Sequence, residues 1–222
     1  MRMKSLVPKQ FMRLGGKALL QLSIERFTEA VPDIKVVVVL PDEHIGSWKN
    51  YCIEAGFVCP QTLVPGGMTR FHSVRNGLAR IPDGALVAVH DGVRPFVSPG
   101  LIKTLFGIAE TEPAVVPVMP CTDTLKVLRR TELPDGSYEL RRIVGEHADR
   151  SVLFGAQTPQ IFHSEVLREA YSQPFDTSFT DDASVAERKN IPVTYIGGDR
   201  YNIKITTQED LQLAEALRSI LF

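Results

Sequence analysis

The chain has little cysteine, no excess of either charge and no long apolar run, and each scarcity removes a class of protein. Cys52, Cys59 and Cys121 form no CxxC pair and leave an odd count, which suits reduced thiols in a cytoplasmic protein and not a disulfide framework. No cysteine or histidine set has the spacing of a metal cage, and His90 has no second histidine within such spacing, so His90 reads as structural. A formal net charge of −1 argues against a general nucleic-acid binder; any cationic site is local and its ligand small. The longest apolar stretch, residues 34–40, is interrupted by Lys35 and is far too short to span a bilayer, and no apolar signal core opens the chain. No membrane association is expected, and the expected location is cytoplasmic. Neither a G-x-S-x-G elbow nor a Walker lysine of the form G-x-x-x-x-G-K-[ST] occurs, which disfavours elbow-type hydrolases and P-loop enzymes.

What is present is enough apolar material for a full core: 44% of 222 residues are hydrophobic and 23% are charged, the balance of one globular domain or of one domain with an elaboration. Leu20, Ile24, Phe27 and Val31 recur at helical spacing until Pro32, and the β-branched run at 34–40 has the pattern of a strand covered on both faces. The alternation continues. A helix over 44–55 closed by Gly56, a strand at 61–64, a helix marked by Phe71, Val74, Leu78 and Ile81, a strand at 85–89, a helix at 101–109 and a strand at 114–118 follow in order. This predicts an α/β fold with a parallel sheet and right-handed crossovers, whose ligands bind at the carboxyl ends of the strands. Further on, helices near 163–171 and 181–188, a strand at 192–196 and a last helix opened by a capping box at Thr206 and Glu209 are expected.

Residues 124–151 break the alternation. Partial polar/apolar alternation on both sides of Pro134-Asp135-Gly136 indicates a hairpin. It is either an edge hairpin on the same sheet or an arm that reaches another subunit.

Six places carry candidate chemistry. Arg2, Lys4 and Lys9 put three cations near Pro8 with no acid among them; they suit a phosphate, or form a solvated basic terminus. The stretch GGMTRFHS, residues 66–73, lies between a strand and a helix start, where backbone N–H groups can meet a phosphate or a base edge, or where the glycines only serve a turn. Asp91 in HDGVRP directly follows an apolar strand, so its carboxylate can hold magnesium beside a polyphosphate, or pair with Arg94 to brace a turn. TPQ at 158–160, TDD at 180–182 and NIKIT at 202–206 sit at predicted element ends, where each taken singly serves as a cap.

Taken in order, PKQF, GGK, GGMTRFHSV, HDGVRPF, Asp123-Thr124, GAQTPQIF, TDDAS and NIKIT resemble the 2-C-methyl-D-erythritol 4-phosphate cytidylyltransferases of the non-mevalonate isoprenoid pathway over nearly the whole chain. The resemblance implies a single Rossmann-like nucleotidyltransferase domain, with helices on both faces of the sheet and residues 124–151 as a protruding β-hairpin arm of a homodimer. It implies transfer of CMP from CTP to the methylerythritol phosphate, with Mg2+ as cofactor and pyrophosphate as leaving group. Matched onto this chain, Arg2 and Lys9 fall on the cations that act at phosphorus. Gly67, Arg70 and Ser73 fall on the cytidine-binding segment, and Asp91 and Gly92 on the ribose and metal side. Arg94, Thr180 and Lys204 fall in the substrate region, Thr124 and Arg150 on the arm, and Lys17 also lies on the family pattern. The family opens with a buried strand and a glycine-rich AGGxGxRM loop, of which this sequence carries only the last two residues; either this sequence omits a preceding segment, the favoured expectation because losing a central strand would expose apolar edges, or the chain is truncated. The alternatives are a ribitol-5-phosphate cytidylyltransferase and a truncated, non-catalytic nucleotide-binding or assembly protein; TDDAS followed by Val185, Ala186 and Glu187 favours the methylerythritol enzyme.

Overall fold

The structure is a computed structural model that describes residues 8–221; Arg2 and Lys4 lie outside the described residues. A short 3-10 turn, Lys9–Phe11, enters a tight hairpin of β1 (Arg13–Leu14) and β2 (Lys17–Ala18). Gly15 and Gly16 turn it at φ 57° and 86°, a region open to glycine without steric cost. There follow α1 (Leu19–Ala30), β3 (Val36–Leu40), α2 (Asp42–Glu54), β4 (Gln61–Pro65), α3 (Arg70–Leu78), β5 (Leu86–Val89), α4 (Pro99–Ala109) and β6 (Ala114–Pro120). Next come β7 (Leu128–Glu132), β8 (Tyr138–Arg142), β9 (Phe154–Ala156), β10 (Gln160–His163), α5 (Ser164–Ala170), α6 (Asp182–Glu187), β11 (Thr194–Gly197) and α7 (Gln208–Leu221).

The central sheet runs β11-β6-β10-β5, with β9 also on β6. It is mixed and not wholly parallel: β11 lies parallel to β6, whereas β10 is antiparallel to both β5 and β6. The expectation of a parallel sheet fails at β10 because no helix joins β6 to it. The chain leaves through the β7–β8 excursion and returns alongside the strand it left, and such a return is antiparallel. β3 and β4 pair in parallel as a separate ribbon among the described residues. Both β3 and β5 line a cavity of about 600 Å³, with Leu20, Ile24 and Phe27 of α1 among its other walls.

Successive residues of β10 face opposite ways and build both layers. Phe162 packs with Phe71 and Leu78 of α3, Leu167 and Ala170 of α5, and Val185 and Ala186 of α6. Its neighbour Ile161 packs with Leu105 and Ala109 of α4. Helices therefore cover both faces, as expected. A third cluster surrounds Trp48, which is fully buried, stacks on Phe11 and Tyr51, and donates Nε1–H to Gln61 Oε1 at 2.8 Å. Burying an indole of ~200 Å² at ~25 cal/mol per Å² is worth about 5 kcal/mol, and through Phe11 that burial also anchors the turn carrying Lys9.

One detail of the sequence reading is corrected, and one open alternative is narrowed. The cap of α7 sits one residue later than Thr206: Thr207 Oγ1 accepts from Asp210 N–H at 3.1 Å, and Asp210 Oδ2 accepts from the N–H groups of Thr206 and Thr207. Either threonine supplies a cap, and the shorter aspartate three residues on, not Glu209, selects the register. The β7–β8 hairpin is exposed along both strands, and each strand pairs only with the other. Among the described residues it protrudes and is not an edge of the central sheet, which removes the edge-hairpin reading. Its turn is closed by Gly136 N–H donating to Leu133 O at 3.0 Å, with Gly136 at φ 81°.

Candidate functional site

The site lies where β5 ends and β10 begins. The cavity lining includes Arg70, Ser73, Asp91, Gly92 and Lys204, so five of the residues matched from the sequence converge from α3, the end of β5 and the segment before α7. Gln10 also lines it, which puts the half-buried Lys9 on the turn beside the cavity.

Local chemistry explains each position. Thr69 caps α3, its hydroxyl accepting from His72 N–H, and Ser73 Oγ accepts from Gly67 N–H at 3.1 Å while donating to Thr69 O at 2.9 Å. A Cβ at Gly67 would overlap His72, so the close turn requires glycine there. The turn-serving reading of these residues therefore holds, and the same turn places Ser73 at the cavity wall.

Asp91 is held by cations. Lys204 Nζ lies 3.0 Å and Arg94 Nε 3.4 Å from Asp91 Oδ2. Burial would raise the carboxyl, but Lys204, Arg70 and Arg94 together hold it below the usual aspartate range. The Asp91–Arg94 brace foreseen as an alternative is thus present, and Arg94 is tied further by donating Nη1–H to Asn202 O at 2.7 Å. Both pairs fall on Oδ2. Among the described residues no group of three or more His, Cys, Asp or Glu could hold a metal. A single ionised carboxylate fits magnesium, which takes one or two protein carboxylates and otherwise phosphate oxygens and water, and does not fit an all-protein cage.

Behind Asp91 runs a buried chain that sequence reasoning treated only as caps. His90 Nε2 faces Arg94 O at 3.1 Å and must donate to that carbonyl, so Nδ1 accepts from Thr158 Oγ1 at 3.1 Å, and Thr158 Oγ1 accepts from Asp91 N–H at 3.1 Å. Asn202 Nδ2 donates to Thr158 O at 2.8 Å, and Asn202 itself is fully buried. Burial pushes the His90 imidazolium down to about 4, so the ring is neutral and braces the strand end, as its structural reading requires. Because the unfolded chain binds this proton near pH 6.5 and the folded one does not until about pH 4, stability rises with pH across that window and is lost as pH falls through it. The loss reaches about 3 kcal/mol. Urea midpoints at pH 7 and pH 4.5 are expected to converge in His90→Gln relative to wild type; an equal acid shift in both would assign the effect elsewhere.

The remaining matched residues lie apart. Thr180 is exposed ahead of α6, its N–H donating to Ser184 Oγ at 3.1 Å, and is not part of the cavity lining. Thr124 lies with Arg142, Glu146 and His147 around a second cavity at the root of the arm. Arg150 is exposed and donates Nη1–H to Thr122 O at 3.1 Å. Lys17 pairs with Glu25 at 2.8 Å on the surface.

Two partners of Arg70 were not foreseen: Asp182, read only as part of a cap, and Tyr171. Arg70 donates Nη1–H to Asp182 Oδ1 at 3.0 Å and Nη2–H to Oδ2 at 2.5 Å, and Tyr171 O–H donates to Oδ1 at 2.6 Å. Asp182 is completely buried. The cap at this helix is Asp181, which accepts from Ser184 N–H at 2.9 Å and from Gln160 Nε2–H at 2.8 Å. Two adjacent acids in TDDAS were the available signal: a helix needs one cap, and the second carboxylate requires another partner.

Sheet order, strand-end carboxylate and glycine turn at a helix start place the protein among the α/β nucleotidyltransferases. Residues 1–219 match the family described as 2-C-methyl-D-erythritol 4-phosphate cytidylyltransferase. The chain is 46% identical over 218 residues to the enzyme of that name from Porphyromonas gingivalis, covering 98% of this chain and 92% of the relative. It is 42% identical over 217 residues to that from Bacteroides thetaiotaomicron, with 98% and 94% covered. The crystal structure of the Thermus thermophilus 2-C-methyl-D-erythritol 4-phosphate cytidylyltransferase superposes with a TM-score of 0.72 at 32% identity, covering 96% of this chain and 94% of that one. The chain belongs to the 2-C-methyl-D-erythritol 4-phosphate cytidylyltransferase family.

Proposed function

We infer that this protein transfers CMP from CTP to 2-C-methyl-D-erythritol 4-phosphate, releasing pyrophosphate and forming the CDP-methylerythritol product for isoprenoid precursor synthesis. Family membership over residues 1–219 carries this reading, and the convergence of Arg70, Asp91 and Lys204 on one cavity supports it. An oxygen of the substrate phosphate attacks the α-phosphorus of CTP in line. The bond to the β-phosphate oxygen breaks, and its electron pair leaves with pyrophosphate. The nucleophile is already an anion, so no general base is required; positioning and charge stabilisation supply the catalysis.

Arg2 and Lys9 stabilise the charged phosphorus centre in this reading. Gly67, Arg70 and Ser73 bind the cytidine, with Gly92 and Asp91 on the ribose side. Asp91 and the phosphates would hold a magnesium ion, which neutralises charge on the departing pyrophosphate. Lys204, Arg94 and Thr180 serve the substrate region. Residues 124–151 act as the arm of a homodimer, bringing Thr124 and Arg150 to the partner's substrate phosphate. An arm exposed on both faces, with Leu128, Tyr138 and Leu140 among its open apolar residues, supports a role in covering another surface.

The test is pyrophosphate release from CTP with methylerythritol phosphate and, separately, with ribitol 5-phosphate. Turnover of the first is expected. Turnover of ribitol 5-phosphate alone would replace the proposed substrate, and failure of the intact protein to bind CTP with magnesium in calorimetry would leave a non-catalytic protein.

A further inference from the structure

We propose that Asp182 and Tyr171 are positioning residues for the nucleotide: a buried carboxylate and phenol that fix the Arg70 guanidinium at the cavity. The proposal rests on the cytidylyltransferase reading and assigns a role to two residues outside the matched set.

The geometry is that of a clamp. Arg70 is the first residue of α3, where its side chain reaches the cavity wall, and Asp182 is the first residue of α6, across the core layer. The two guanidinium nitrogens meet the two carboxylate oxygens in a parallel fork at 3.0 and 2.5 Å, the arrangement that defines the plane and the rotation of an arginine. One end of the pair is open and the other is sealed: the Arg70 side chain keeps 39% of its surface, whereas that of Asp182 keeps 0%. Tyr171 O–H takes a further lone pair of Oδ1 at 2.6 Å, and its ring stacks on Phe71, the residue after Arg70, with centroids 4.7 Å apart. The carboxylate therefore cannot rotate to follow the arginine, and the arginine must stay where the carboxylate is.

Electrostatics point the same way. Burial alone would weaken the Arg70 cation, but the charge and hydrogen bonds of Asp182 hold it above its ordinary value. The Tyr171 hydroxyl is kept protonated by burial and by the adjacent Asp182 charge, so its proton stays available to Asp182 Oδ1. A surface arginine would have to be ordered each time a ligand arrived. Here the ordering has already occurred, and the exposed part of the guanidinium remains for the ligand.

A residue that only holds α6 to α3 would affect stability and leave ligand affinity alone. The experiment is a double-mutant cycle on CTP affinity, with Arg70→Ala, Asp182→Asn and the pair combined, measured by calorimetry in magnesium and by steady-state kinetics. Asp182→Asn is expected to raise the Kd and KM for CTP about tenfold while kcat falls by no more than about threefold, because the lost contact orients the nucleotide and not the phosphorus centre. In the Arg70→Ala background Asp182→Asn is expected to have no further effect on Kd, since the residue acts through the guanidinium. Tyr171→Phe, which keeps the packing, is expected to raise Kd about threefold, and it carries the test if Asp182→Asn does not fold. Unchanged CTP affinity in the folded variants, or additive effects in the double variant, would overturn the proposal. Absence of CTP binding by the wild type would instead overturn the reading on which it rests.

Discussion

Lys9→Ala is expected to lower kcat by at least about a hundredfold, about 2.7 kcal/mol of transition-state stabilisation, with the fold intact. The turn that carries Lys9 is fixed independently of its amine: Phe11 stacks on Trp48 with the rings 5.9 Å apart and 6° from parallel, and Phe11 N–H donates to Pro8 O at 2.9 Å. Among the described residues no ion pair involves Lys9, whereas Arg70, Arg94 and Lys204 are each committed to a carboxylate. A cation on an anchored turn, beside a cavity and without an acid of its own, is available to charge that develops on the substrate during the reaction. Stopped-flow or steady-state pyrophosphate release measures the loss, and circular dichroism checks the fold. A rate within a few-fold of wild type would remove Lys9 from the reaction.

Heterodimers built from one Lys9→Ala subunit and one Arg150→Ala subunit are expected to recover activity that neither parent homodimer has. If the arm supplies Arg150 to the neighbouring site, one site of the heterodimer inherits both substitutions and the other inherits neither. Up to about half of the wild-type activity per dimer then returns, by symmetry of a two-fold assembly. The geometry that motivates this is local. Arg150 sits at the arm's root, exposed and hydrogen-bonded to Thr122 O, and among the described residues it does not line the cavity that holds Asp91 in its own chain. Differentially tagged subunits, co-expressed and purified through both tags, provide the species. Tagged heterodimers that stay as inactive as their parents would place Lys9 and Arg150 in the same site of one subunit.

Much of the site was readable because strand ends can be read from hydrophobic runs. The apolar strand 86–89 put Asp91 at a carboxyl end, and GGMTRFHS between a strand and a helix put Ser73 and Arg70 at a helix start; both placements hold. Thr180 was matched by motif, and the structure leaves it exposed outside the cavity lining; a motif transfers position along the chain and not the direction of a side chain. The arm shows the same limit. Its turn chemistry made the hairpin legible at Pro134-Asp135-Gly136, but whether it joined the sheet or left it depended on pairing partners far along the chain.

The sequence by itself determined the helices, most of the strands and the strand-end position of Asp91, since each follows from periodicity and turn residues within a window of about ten positions. Only the tertiary structure decided that β10 enters the sheet antiparallel, that Asp91 meets Lys204 and Arg94 together, and that Asp182 lies under Arg70 with Tyr171 on its other side. Arg70 and Asp182 are 112 residues apart. A contact at that separation leaves no local period to read; what forces it is the cost of burying a carboxylate without a partner, which the fold meets with the Arg70 guanidinium at the cavity wall.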